Sequence, residues 1–359
     1  LRTTALSRPM AGRRLELVGL GYRHRMHDPR RFKPWNTRPG AGIHDITFSL
    51  PTGSIVGLIG ANGAGKTTLM RVICGLYQPE SGEVRLNAET IAAAGMKPRG
   101  HAQVGFMPEQ VSWPGPGTPR QALECLSAMR DDAIEHDIDS LFKLVGLSSR
   151  SDSPLDSLSQ GMRQRLSLAA ALLGNPDILV LDEPLNALDP VAQIAFQGLI
   201  RQLAQRGHTI LISSHMLAEL DRFVDRILVL HRGQVIGEGE MAEVESDLGL
   251  ADKMRFCGLG QAPTEIFSSE GLAVETSPDC EVGHWSLTVV LPSGYSQLQV
   301  SQLISALAES GNPPYSAAKL NHNLADILAA ATGLSPSEVG LEVDEHLVIP
   351  LAKIGGEEE

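Results

Sequence analysis

Apolar positions in this chain come in two arrangements that alternate for most of its length. Ile178, Leu179, Val180 and Leu181 form a continuous apolar run of strand length, and residues 54–59 and 209–212 are runs of the same kind. Runs without polar alternation are the pattern of strands covered on both faces. Between them the spacing changes to that of helices. Leu69, Val72, Ile73 and Leu76 recur every three or four residues, which predicts one apolar stripe on a helix. Further helices are expected at 120–129, at 138–145 with Gly146 as a stop, at 160–173 with Ser159 as N-cap, and at 191–205.

Shorter stretches complete the picture. Residues 15–18 and 46–50 read as an edge strand and its partner, 82–86 and 104–108 as strands, and 226–230 with 234–238 as a hairpin turning at Arg232 and Gly233. Strands alternating with helices predict an α/β fold with a mostly parallel sheet. Beyond residue 245 the order differs, with strands at 273–276 and 285–291 and amphipathic helices at 296–309 and 319–331. The chain therefore divides into a disordered tail at 1–13, one α/β unit at 14–245 with a helical insertion at about 110–165, a small α/β domain at 250–335, and a strand with an acidic tail at 336–359.

The loop after the first buried run contains the most specific chemistry. Gly60, Ala61, Asn62, Gly63, Ala64, Gly65, Lys66, Thr67 and Thr68 fill every fixed position of a P-loop, with a strand before and a helix after. Glycines let the backbone curl and aim successive N–H groups at an anion, and the helix start adds positive potential. Lys66 is a point charge for β- and γ-phosphates, and the Thr67 hydroxyl suits Mg²⁺. The expected ligand is ATP with Mg²⁺.

Other buried runs also end in polar groups. The run 178–181 ends in Asp182 and Glu183, placed to hold Mg²⁺ through water and to orient or deprotonate an attacking water. The strand at 104–108 ends at Glu109 and Gln110, and the run at 209–212 leads through Ser213 and Ser214 to His215. Asp189 follows in a polar turn. Ser159 opens a second anion-attracting helix start.

Composition narrows the function classes. The formal net charge of −12 argues against a general nucleic-acid-binding surface. Cys74, Cys125, Cys257 and Cys280 are far apart and form no C-x-x-C pair, so neither a zinc site nor a disulfide framework is expected. No apolar run approaches the roughly 18 residues needed to cross a bilayer, so a membrane role requires a partner. One local exception to the acidic balance stands out. Arg23, Arg25, Arg30, Arg31, Lys33 and Arg38 face a single Asp28 between residues 23 and 38, interspersed with Phe32 and Trp35. A solvated insertion and a surface for lipid head groups or an acidic partner are both open readings.

The ordered set of motifs resembles the ATP-binding subunits of ABC transporters over about residues 14–240. The carriers are the P-loop at 60–67, the signature-like Ser159, Gln160, Gly161 and Met162, the Walker B run ending at Asp182 and Glu183, the D-loop ending at Asp189, and the switch histidine His215. The Ser-x-Gly-Met form is similar to the ABC-2 branch of exporters. The resemblance implies a RecA-like cassette with an N-terminal antiparallel part and a helical subdomain. It also implies a head-to-tail pair in which Ser159 and Gly161 meet the γ-phosphate held by Lys66 of a second cassette, giving a homodimer beneath separate membrane permease subunits at the inner face of the cell membrane. Glu183 is then the general base and His215 the γ-phosphate contact. Glu109 aligns with the Q-loop position and Gln110 stands beside it, both as Mg²⁺ candidates. Tyr22 and His24 are the two candidates for stacking on adenine. The helix near 323–328 is similar to the one that closes many ABC-2 ATPases. The rival class, ABC ATPases acting on ribosomes or DNA, usually carries paired cassettes, a long coiled coil or zinc cysteines, and this chain has none of these.

Overall fold

The computed structural model describes residues 15–27, 37–97, 100–110, 112–113, 116–130, 137–186, 188–215, 217–276, 283–292, 295–309, 313–320 and 322–333. The tails expected at 1–13 and 336–359 and residues 28–36 of the basic insertion lie outside the described residues, as does Cys280.

In chain order the elements are β1 (Leu15–His27), β2 (Thr37–Leu50), β3 (Ile55–Ile59), α1 (Lys66–Ile73), β4 (Ser81–Leu86), β5 (Glu89–Ala93) and β6 (Val104–Met107). Then come α2 (Pro119–Ala128), α3 (Ile138–Leu144), α4 (Gln160–Ala171), β7 (Ile178–Leu181), α5 (Pro190–Gln205), β8 (Thr209–Ser213), α6 (Leu217–Leu220), β9 (Arg226–His231), β10 (Gln234–Gly239) and α7 (Met241–Asp247). The last part holds β11 (Lys253–Leu259), α8 (Thr264–Ser269), β12 (Ala273–Thr276), β13 (His284–Val290), α9 (Gln297–Glu309), β14 (Pro314–Leu320) and α10 (Leu324–Thr332).

The central sheet has the order β10-β9-β3-β8-β7-β6. Five of its strands run parallel, and β10 closes one edge as the antiparallel half of a hairpin. Side chains alternate across a strand, and β7 shows why a run of four apolar residues is needed here. Ile178 and Val180 enter one core with Leu69, Met70 and Ile73 of α1, whereas Leu179 and Leu181 enter the other with Leu166 and Ile200. Each such side chain contributes about 1.5–3 kcal/mol by leaving water, so both faces must be apolar. α2 and α3 stand between β6 and α4 as a helical insertion, with Thr118 and Gln121 forming a capping box at the start of α2.

A second, antiparallel sheet has the order β2-β1-β4-β5 and covers the α1 side. Here the structure corrects the sequence reading. β1 and β2 do not stop at Val18 and start at Ile46; they continue as a two-stranded ribbon with Arg23 opposite Gly42, Arg25 opposite Pro39 and His27 opposite Thr37. Residues 23–27 and 37–38 of the expected basic loop are thus strand. Their charged and polar composition hides the pattern.

The third sheet has the order β12-β13-β11-β14 with all neighbours antiparallel, and α8 and α9 connect its strands. This is a β-α-β-β-α-β module of the split type. β11, α8 and β14 were not foreseen, and residues 319 and 320, expected in a helix, are the end of β14. Gly258 explains part of the difficulty. A Cβ there would lie 2.3 Å from the Trp285 ring, so the glycine that weakens β11 as a strand signal is what lets the indole pack across it.

The module has its own core of Phe256, Phe267, Trp285, Leu287, Leu303 and Leu307. α10 does not join it. Leu324, Ile327 and Leu328 instead enter the cassette core with Leu220, Phe223 and Val244. The expected domain at 250–335 therefore ends in a helix that packs on the other unit.

Candidate functional site

Because β3, β6, β7 and β8 are parallel, their C-terminal ends open on one edge of the sheet. The loops leaving that edge carry the polar residues singled out by the sequence. They surround a cavity of about 500 Å³ lined by residues 62–68, His24, Glu109, Glu183, Asn186 and His215.

The loop at 60–65 is shaped by backbone demands. Gly65 is the N-cap of α1 with φ 106°, a conformation that side chains rarely adopt, and a Cβ would press on Ile43 at 3.0 Å. Lys66 is buried and its Nζ donates to the carbonyls of Gly60 at 2.6 Å and Ala61 at 3.2 Å. Burial pulls the Lys66 pKa below the ordinary lysine range, against the opposing pull of Glu183, Asp182 and Glu109. Thr67 faces the cavity, and the Thr68 hydroxyl lies 2.9 Å from His24 Nε2.

The carboxylates are held by a chain of hydrogen bonds. Ser213 Oγ donates to Asp182 Oδ1 at 2.7 Å and accepts from the Glu183 N–H at 2.9 Å. Glu183 sits at φ 50°, a strained conformation for a residue with a Cβ, which costs of order 1–3 kcal/mol. One of its oxygens, Oε2, accepts from the His215 N–H at 3.0 Å and lies 2.8 Å from His215 Nδ1. Asp182 is 2% exposed, whereas the His215 side chain is about half exposed at the cavity. The groups that can touch a triphosphate, a metal ion and a water are thereby brought to one edge.

Other expected residues differ in whether they reach the cavity. His24 lines the cavity, but the Tyr22 ring is stacked on Tyr77 at 4.9 Å, with Arg71 over the far tyrosine. Glu109 lines the cavity, and Gln110 beside it is exposed and does not. Ser159 caps α4 by accepting from the Met162 N–H at 3.3 Å, and Asp189 caps α5 by accepting from the Ala192 N–H at 2.9 Å. None of residues 159–162 lines this cavity. Ser213 was missed as a site residue, and Asn186, expected as the start of the D-loop that ends at Asp189, lines the cavity. Ser213 had a signal in hindsight, a small hydroxyl at the C-terminal end of a buried parallel strand.

Comparison with known proteins agrees with this arrangement. The family described as ABC transporter matches residues 43–186. A Nod factor export ATP-binding protein I of Burkholderia orbicola is 36% identical over 211 residues, which are 58% of this chain and 69% of that protein. The protein of the same name from Bradyrhizobium diazoefficiens is 35% identical over 201 residues, 55% of this chain and 65% of that one. A solved ATP-binding subunit of an ABC transporter superposes with a TM-score of 0.53 at 29% identity, covering 66% of this chain and 93% of the other. These relatives are transporter subunits rather than ribosome- or DNA-directed ATPases, and the chain belongs to the ABC transporter family as an ATP-binding subunit and ATPase.

Proposed function

We propose that this ATPase serves an exporter of the ABC-2 type, with the triphosphate held in the cavity at residues 62–68 and its energy used to move separate membrane subunits. The observation that carries the chemical part is the Glu183–His215 pair at the same edge as Lys66. Lys66 and the loop N–H groups neutralise the phosphates, and His24 offers the ring for adenine. Glu183 orients the attacking water and takes its proton, while His215 holds Glu183 in place and reaches the γ-phosphate. The donor set suits Mg²⁺, since Thr67 offers a hydroxyl at the cavity and Asp182, whose Oδ1 accepts from Ser213, offers a carboxylate that would hold the ion through water. When bound there with Glu109 nearby, Mg²⁺ neutralises charge on the phosphates.

Two copies pair head to tail, so that Ser159, Gln160, Gly161 and Met162 of one cover the triphosphate held by the other, with Asp189 at the crossing. This reading is supported by the placement of α4's first turn away from its own cavity. Among the described residues no helix is long and apolar enough to cross a membrane, and the membrane partner is a permease subunit that seats the dimer at the inner face of the cell membrane. The relatives that carry export in their names support that direction.

The test is co-purification of tagged Glu183→Gln chain with ATP from detergent-solubilised native membranes. Recovery of a multi-span protein only when ATP is present is the expected result. Recovery of ribosomal or DNA-associated proteins instead overturns the transport reading.

A further inference from the structure

α10 is separated in sequence from the cassette by the whole C-terminal module, yet it is packed as part of the cassette. Its ends are well defined. Asn323 Oδ1 accepts from the N–H groups of Ala325 at 2.8 Å and Asp326 at 2.9 Å, Asp326 Oδ2 accepts from the Asn323 N–H at 3.0 Å, and Gly333 closes the helix at φ 74°. Between them Leu324 and Ile327 are fully buried and Leu328 is nearly so. Their neighbours are α6 and β9, with Leu220, Phe223 and Ile227 in the same apolar group.

What lies on the other side of α6 makes this contact consequential. α6 is four residues long and begins two residues after His215. A single turn of helix does not hold itself, because nucleation costs more than one turn returns, so its position depends on what packs against it. Glu219 is tied to Gln197 at 3.3 Å and to Arg222 at 3.5 Å, which are exposed or half-buried polar contacts. The buried anchor is apolar: α6 packs on α10, and Leu220 enters the apolar group shared with α10 while also lying over Gly57 of β3.

The polar rim of the seam does not add to that anchor. Asp221, just past α6, faces Asp326 of α10, and burial followed by that like charge pushes the Asp221 carboxyl up. Glu245 of α7 is raised by burial and also feels Asp221 and Asp252, with His322 and Lys319 opposing. A cavity of about 400 Å³ opens there, lined in part by Asp221, Asp225, Arg226, Glu245 and His322. The fully buried part of the seam is apolar and comes from the three side chains of α10. The module is fastened at the same place, since His322 Nε2 lies 3.0 Å from the Ala251 carbonyl oxygen, joining the points where the chain enters and leaves it.

We infer that α10 is a positioning element for ATP hydrolysis: Leu324, Ile327 and Leu328 hold α6, and through it keep His215 on Glu183. This rests on the roles proposed above for Glu183 and His215. Residues that only set the geometry of catalytic groups show their effect in turnover rather than in substrate affinity, because a small displacement of those groups slows the reacting step. The C-terminal module, covalently continuous with α10 and clamped at His322, is thereby placed to move the switch histidine without touching the nucleotide.

The experiment compares full-length chains carrying Ile327→Ala, Ile327→Val, Leu303→Ala and His215→Ala, and the double substitution of Ile327→Ala with His215→Ala. ATP turnover and KM are measured well below the melting temperature of each. Ile327→Ala is expected to lower kcat about tenfold with KM for ATP within about twofold. Ile327→Val, which removes one methylene and keeps the fold, should lower kcat only about twofold or threefold. Leu303→Ala, a buried leucine of the module core, should lower the melting temperature and leave kcat unchanged. In the His215→Ala background the effect of Ile327→Ala should disappear, since two changes acting through one group do not add.

Unchanged kcat in Ile327→Ala, or an undiminished effect in the double substitution, overturns the positioning role while leaving the site reading intact. If Ile327→Ala does not fold, a kcat for Ile327→Val equal to that of the unsubstituted chain has the same meaning, and a twofold or threefold loss that vanishes without His215 supports the role. Full hydrolysis by His215→Ala alone is a different failure, that of the site reading itself.

Discussion

The central sheet and the C-terminal sheet are built from the same parts, strands with helices packed over them, but only one gathers chemistry. In the central sheet β3, β6, β7 and β8 are parallel, so four strands end at one edge and bring Lys66, Glu109, Glu183 and His215 to one cavity, with Asp182 buried beside Glu183. In the module every neighbouring pair is antiparallel, so strand ends alternate and the loops are split between two edges. Strand direction, rather than layer type or composition, concentrates a site.

Substitutions in the two sheets should break this contrast in different currencies. Glu183→Gln should cost a hundred- to ten-thousandfold in turnover, the range of a general base, while ATP binding persists; wild-type hydrolysis would remove Glu183 from that role. Phe267→Ala deletes a fully buried ring from the module core and should destabilise that unit by about 3–5 kcal/mol. Equilibrium ATP binding should not change, and a loss of binding would show that the two units share one core.

A smaller effect tests the carboxylate frame. Ser213→Ala leaves Asp182 without a donor and the Glu183 N–H without an acceptor, which should cost about 1–3 kcal/mol in stability and slow turnover. Denaturant titration together with steady-state kinetics checks both parts.

The next test uses pH. His208 is buried against the Pro176 carbonyl, with Nδ1 2.7 Å from that oxygen, and burial holds its pKa below the ordinary histidine value of 6.5. The unfolded chain then binds more protons than the folded one as pH falls. Stability from this group is fully present above about pH 6.5 and is lost below it, until the folded pKa is passed. His208→Gln should flatten that acid limb in thermal melts; an unchanged limb would assign it elsewhere. The smallest effect is expected for Lys319→Ala, which removes an ion pair with Asp252 at 2.8 Å between side chains more than half exposed. Its change should fall within about 1 kcal/mol.

Legibility followed burial. β7, β3 and β8 were readable because strands covered on both faces must be apolar throughout, and α4 carried its own N-cap in Ser159. β11 was not readable, since one of its faces meets solvent at Arg255 and Leu259 and its core face contains Gly258 under Trp285. The ribbon formed by the far ends of β1 and β2 left no apolar mark at all.

The same division holds for function. Order and spacing along the chain singled out residues 60–68, Asp182, Glu183 and His215 as candidates, because a P-loop needs its glycines, lysine and threonine at set positions whatever surrounds them. Which side chains then face one another was decided only by folding. His24 rather than Tyr22 lines the cavity because Tyr77, 55 positions away, takes the face of Tyr22. Ser213 joins Asp182 to Glu183, and α10 returns across the whole module to lie on α6, because contacts between distant segments depend on strand order and core packing, which no local pattern records.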